Sequence, residues 1–149
     1  MKEKLLNEES GQKTFAVVFE TGDEVASGLL AFAKEKSLAG SHFTAIGALS
    51  DVTLGFFDWD KKDYLKLQIN EQVEVLSLIG DIALNKGEPK VHGHIVVSKS
   101  DGTAHGGHLI EAHVRPTLEV ILVESPQHLV RRFDEETRLA LIDLDAEQQ

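Results

Sequence analysis

Cysteine is absent from the 149 residues, which removes disulfides, thiolate zinc sites, iron–sulfur centres and thiol nucleophiles. Any metal must therefore be held by His, Asp or Glu. Proline is scarce at three, and with 42% apolar and 27% charged residues the chain is neither disordered nor fibrous but suits one globular domain. Long apolar runs are missing too: Phe15 to Phe19 is among the longest, far short of the eighteen or so residues a membrane helix needs. The start, MKEKLLNEES, lacks the apolar segment of a secretory signal, so a cytoplasmic location is expected. Basic residues are in deficit, 15 against 25 acids, for a net charge of −10. Six acids and one arginine fall in residues 134–149, and no window elsewhere forms the basic stripe that phosphate neutralisation requires. Unaided DNA binding is disfavoured. Arg131-Arg132 and Lys61-Lys62 read as solvated surface. Nucleophile-elbow, phosphate-loop and dinucleotide-binding glycine motifs are also lacking.

What is present reads as one helix among strands. Thr14 to Glu20 is β-branched and aromatic and leads into Thr21-Gly22-Asp23-Glu24, where Thr21 and Glu24 have capping-box spacing. Val25, Ala26, Leu29, Leu30, Phe32 and Ala33 then mark one apolar face of a helix over Asp23 to Ser37, with Lys34 and Lys36 at its carboxyl end. After Gly40 strands are expected over Phe43–Leu49, Val52–Asp58, Tyr64–Ile69, Val73–Ala83, Val91–Val97, Gly107–Ala112 and Thr117–Glu124. Asn85-Lys86-Gly87-Glu88-Pro89 and Ser100-Asp101-Gly102-Thr103 are turns. Leu139 to Leu144 is a last strand or an ordered tail. The reading is α+β, a mainly antiparallel sheet with one principal N-terminal helix. Its organisation is an extension over 1–13, a domain over 14–133, and an acidic tail or last strand over 134–149.

Five of the seven histidines, His92, His94, His105, His108 and His113, fall within 22 residues. His92 and His94 lie two apart on an expected strand, so both imidazoles leave one face, as neighbouring metal ligands must. A second strand has to supply the third. A two-residue turn at Asp101-Gly102 would set His108 opposite Ile95, on the wrong side; a three-residue loop sets it opposite His94, and a bulge at Gly106-Gly107 would return both His108 and His105 to the right face. An irregularity between Ser100 and His108 is therefore predicted. Three neutral imidazoles with an open fourth position favour Zn²⁺, with Ni²⁺ or Fe²⁺ also compatible. His42 and His128 stand alone, as surface or core-edge residues. Glu111 or Glu119 could orient a ligand histidine, or act as base on a metal-bound water.

The stretch Gly106-Gly107-His108-Leu109-Ile110-Glu111-Ala112-His113-Val114-Arg115-Pro116-Thr117-Leu118-Glu119-Val120 resembles the signature of the plants-and-prokaryotes-conserved (PPC) domain family. Thr21 to Val25, Ala45 to Ser50, Val73 to Leu78 and His92-Gly93-His94 follow that family's blocks in order. The resemblance implies the PPC fold, assembly as a homotrimer, and kinship with prokaryotic members labelled predicted DNA-binding proteins. It implies zinc at the His-x-His pair and the later Gly-Gly-His, here His92, His94 and His108. In plant members DNA contact resembles the work of a separate AT-hook that enters the minor groove, and this sequence has no such motif. The expected function is a homotrimeric binding or regulatory protein with a three-histidine metal site and no assigned catalytic residue. The alternatives are a metal-dependent hydrolase of a small substrate and direct DNA binding by the trimer.

Overall fold

The structure, a computed structural model, describes residues 1–146. Nine strands and one helix follow the order β1 (Lys2–Glu9), β2 (Gln12–Glu20), α1 (Val25–Lys36), β3 (Gly40–Asp58), β4 (Asp63–Ile69), β5 (Val73–Asn85), β6 (Glu88–Ser98), β7 (Ala104–Glu124), β8 (Val130–Phe133) and β9 (Ala140–Asp143) among the described residues. The sheet is antiparallel except where β8 joins β5 in parallel. Its path runs β1-β2-β7-β3-β5-β8-β9, while β4 adds to β3 and β6 bridges β5 and β7. Because β3 pairs with both β5 and β7, and β6 pairs with the same two strands, the four close a circuit around the core. This is the α+β, mainly antiparallel architecture with one helix read from the sequence.

Alternation makes one face of this sheet the core. Phe15, Val17 and Phe19 of β2 point inward with Phe43, Leu78, Ile95, Leu118 and Leu122, and Leu29 and Phe32 of α1 close over them. Each large side chain withdrawn from water contributes about 1.5–3 kcal/mol. The helix lies close because Gly28 carries no side chain: a Cβ there would sit 2.4 Å from a Phe19 ring carbon.

Some expectations are corrected. The helix begins at Val25, and its cap is Glu24, whose carboxylate accepts from the backbone N–H groups of Ala26 and Ser27. The Thr21 hydroxyl donates instead to the carbonyl of Pro116. The carboxyl end closes on Ser37 in the left-handed conformation, φ 55°, with Leu38 N–H donating to the Ala33 carbonyl. The two pairs of strands expected over 43–58 and 107–124 are continuous as β3 and β7, which bulge where they cross. Between the pairs Gly47↔Leu118 and Leu49↔Val114, β7 carries Arg115, Pro116 and Thr117 against Ala48 alone, a bulge that relieves Pro116 of any ladder donor. Gly47 sits there at φ 155°, where a Cβ would strike the Thr117 carbonyl at 2.3 Å. Residues 2–9 form β1 within the segment expected as an extension. Residues 140–143 form β9 within the expected tail, of which residues 147–149 lie outside the described residues.

Candidate metal centre

The turn between β6 and β7 decides where the third imidazole goes. Lys99 N–H donates to the Thr103 carbonyl at 3.0 Å and Gly102 N–H to the Lys99 carbonyl at 2.9 Å, so the loop proper is Ser100-Asp101-Gly102. Gly102 takes φ 81°, where any side chain would strain the backbone. The Asp101 carboxylate steadies the turn by accepting from Thr103 N–H and hydroxyl. From this three-residue loop the ladder runs regularly from Ser98↔Ala104 to His94↔His108, without a bulge at Gly106-Gly107. His105 pairs with Val97 and so leaves the opposite face.

His92, His94 and His108 converge. Their ring centroids lie 5.2, 5.3 and 5.5 Å apart, a nearly equilateral triangle, and one nitrogen from each lies within 4.8 Å of the others. Nitrogens around a tetrahedral zinc with bonds of about 2.0–2.1 Å stand about 3.4 Å apart, so modest ring rotations suffice for a shared ion. They are the one metal-capable group of three or more among the described residues.

The rings differ in setting. His108 is a Cα partner of both His94 on β6 and Gly55 on β3, at the seam of the closed circuit. Tyr64 crosses over Gly55, where a Cβ would meet the Tyr64 ring at 2.8 Å, and stacks on His108 with centroids 4.6 Å apart. Burial, then the like charges of His92, His94 and Lys90, push the His108 pKa down to about 4. Burial and His92 likewise lower that of His94. Both rings therefore hold the neutral form that ligates a metal. His108 Nδ1 is buried with no hydrogen-bond partner among the described residues.

Behind His92 stands a carboxylate. Asp81, its Cα partner on β5, comes within 3.4 Å of His92 Nδ1 and receives Arg131 Nη2 at 2.5 Å. A carboxylate on the outer ring nitrogen is the usual support for a ligating histidine. Burial works against the charge of Asp81, yet hydrogen bonds from His92 and Arg131 prevail and hold its pKa below the usual value. Arg131 also donates to the Ala140 carbonyl, and its side chain is only 5% exposed, which corrects the reading of Arg131-Arg132 as solvated surface; Arg132 alone is exposed. Asp81 was the missed signal: a lone carboxylate between Leu78-Ile79 and Ile82-Ala83 needs a partner if it is buried.

The remaining candidates lie elsewhere. Glu111 is exposed, 4.0 Å from His113 Nε2, and Glu119 is exposed on the outer face between Val18 and Ile46. His113 pairs with Asp51, Nδ1 to Oδ1 2.8 Å. His42 and His128 are exposed. None of these belongs to the imidazole triangle. No described helix is long and apolar enough to cross a membrane.

The site can be set beside known proteins. The Plants and Prokaryotes Conserved (PCC) domain matches residues 6–126. A metal-containing protein of Archaeoglobus fulgidus is similar in structure, with TM-score 0.81 and 34% identity over 87% of this chain and 92% of that one. So is a candidate DNA-binding protein of Bacteroides thetaiotaomicron, with TM-score 0.85 and 26% identity over 94% and 96%. A plant- and prokaryote-conserved (PPC) protein of Pyrococcus horikoshii gives TM-score 0.82 and 28% identity over 95% and 94%. Among curated proteins, the bifunctional protein GlmU of Synechococcus sp. (strain JA-3-3Ab) is 32% identical over 113 residues, 74% of this chain. The chain spans 17% of that protein's length.

Proposed function

The chain belongs to the Plants and Prokaryotes Conserved (PCC) domain family, and from that premise we propose a homotrimeric binding or regulatory protein that holds zinc at His92, His94 and His108. The imidazole triangle carries this reading. Three nitrogen donors, no thiolate and an open fourth position suit zinc, and the neutral state of His94 and His108 removes the proton that would compete for the ligand atoms. The similar protein of Archaeoglobus fulgidus is named for its metal. The ion would supply a Lewis-acidic position for a ligand, while Asp81 and Arg131 hold His92 in place.

The trimer is supported by the outer face of the sheet. An unbroken row of Cα partners runs Ile121, Thr44, Ile79, His94, His108 across the strands. Ile46, Ile79 and Ile121 on this face are 62%, 54% and 47% exposed, an apolar patch that calls for a cover. Further copies of the same chain are the cover the family resemblance implies. Native mass spectrometry tests it: the expected mass is three chains, and an Ile46→Glu, Ile79→Glu double variant falls to one. A native monomer in the unsubstituted protein would refute the assembly.

The similar protein of Bacteroides thetaiotaomicron, a candidate DNA-binding protein, favours a second reading in which the trimer binds DNA. That requires association that weakens steeply with salt, against a net charge of −10. Fluorescence anisotropy with duplex DNA at low salt decides it, and absence of binding there removes the reading.

A further inference from the structure

A cavity of about 170 Å³ opens directly on two of the imidazoles. It lies between β6, the start of β7 and the β8–β9 hairpin, and His92, His108, Tyr64, Lys90 and Arg131 supply its polar wall. Val91, Leu139, Ala140 and Leu141 supply its apolar lining. Among the described residues no carboxylate lines it, although the chain carries 25 acids against 15 bases. Every formally charged group on its wall is a cation.

Lys90 is exposed and shares the face of His92 by strand alternation. Arg131 is nearly buried; two of its nitrogens are engaged by Asp81 and the Ala140 carbonyl, while Nε has no partner among the described residues. The space is below the usual range of drug-sized ligand pockets and suits a small molecule. Leu139, Ala140 and Leu141 of the apolar wall, and Arg131, come from residues beyond 126, where the family match ends, so this part of the cavity belongs to the chain's own C-terminal hairpin.

Building on the metal site proposed above, we infer that the ligand of this centre is a small organic monoanion, a short-chain carboxylate. Its carboxylate takes the open position of the ion within reach of Lys90, and its alkyl part lies against Leu139 and Leu141. A bare anion such as phosphate would leave that apolar wall uncovered, and a neutral ligand would gain no attraction from Lys90.

Cobalt(II) substitution makes the site visible, because the absorption bands of the ion respond to each ligand it gains. The full-length protein is first titrated with cobalt(II), then with formate, acetate, propionate and butyrate, with neutral butyramide and with inorganic phosphate. Affinity is expected to rise about fourfold per added methylene up to butyrate. Butyramide should leave the spectrum unchanged. Lys90→Met should take up cobalt(II) normally and bind butyrate about tenfold more weakly. Failure to take up cobalt(II) overturns the metal site and the anion proposal with it. Uptake followed by silence towards butyrate, an equal response to butyramide, tighter binding of phosphate, or full butyrate affinity in Lys90→Met overturns the anion proposal alone.

Discussion

His94 and His108 face each other as direct partners across the β6–β7 ladder, ring centroids 5.5 Å apart and planes at 89°. The third ligand of the triangle is thus set by register. Deleting Ser100 shortens the loop and turns the whole start of β7 over by one residue, which carries His108 to the opposite face. The shortened protein should keep its far-UV circular dichroism and lose metal affinity at least about a hundredfold, read by competition with a chelator.

Glu24 ties the helix to the sheet. One carboxylate oxygen accepts from Ala26 N–H and from Ala112 N–H of β7, the other from Ser27 N–H and hydroxyl. Burial disfavours its charge, but these hydrogen bonds prevail and lower its pKa. Glu24→Ala should cost about 1–2 kcal/mol, the upper range for a lost cap, and lower the melting temperature by about 2–8 °C in calorimetry.

The Asp51–His113 pair predicts a pH window for stability. Hydrogen bonding to Asp51 raises the His113 pKa, so its contribution is complete below the ordinary imidazole value and is lost as pH rises through the raised one. For Asp51, burial opposes ionisation, but hydrogen bonds from His113 and Ser50 lower its pKa; its contribution is present above the ordinary carboxylate value and fades as pH falls through the lowered one. Both side chains are 38% exposed, so screening limits the pair to about 0.5 kcal/mol. Asp51→Asn should cost most between about pH 4 and 6.5. Urea titrations across pH, with NMR titration of His113 falling back towards its ordinary value in the variant, check this.

Arg131→Ala would leave Asp81 without its cation and open the seam between β5 and the C-terminal hairpin. The carboxylate is 25% exposed, so the cost should fall below that of a fully buried broken pair, at about 1–3 kcal/mol in urea unfolding. A change within a few tenths of a kcal/mol would mean that the hairpin is not anchored through this pair.

What could be read in the chain divides along physical lines. α1 was legible because Val25, Leu29, Phe32 and Ala33 repeat at helical spacing and are all buried. Its cap was not, since the Thr21 hydroxyl is claimed by Pro116, ninety-five residues away in sequence. β1 escaped notice because all eight of its residues are exposed, so no alternation marks it. In the site, the two-residue spacing of His92 and His94 announced a shared face. The choice between loop and bulge for His108 needed the Gly102 geometry. Arg131 looked like surface because its burial depends on Asp81, fifty positions earlier, and on a hairpin with little apolar periodicity.

The most direct test of the central claim is the metal content of the purified protein and its His94→Ala variant by elemental analysis after dialysis. The expected result is one zinc per chain in the unsubstituted protein and essentially none in the variant, with both folded by circular dichroism. A metal-free unsubstituted protein, or full metal content in His94→Ala, would contradict a shared ion at His92, His94 and His108.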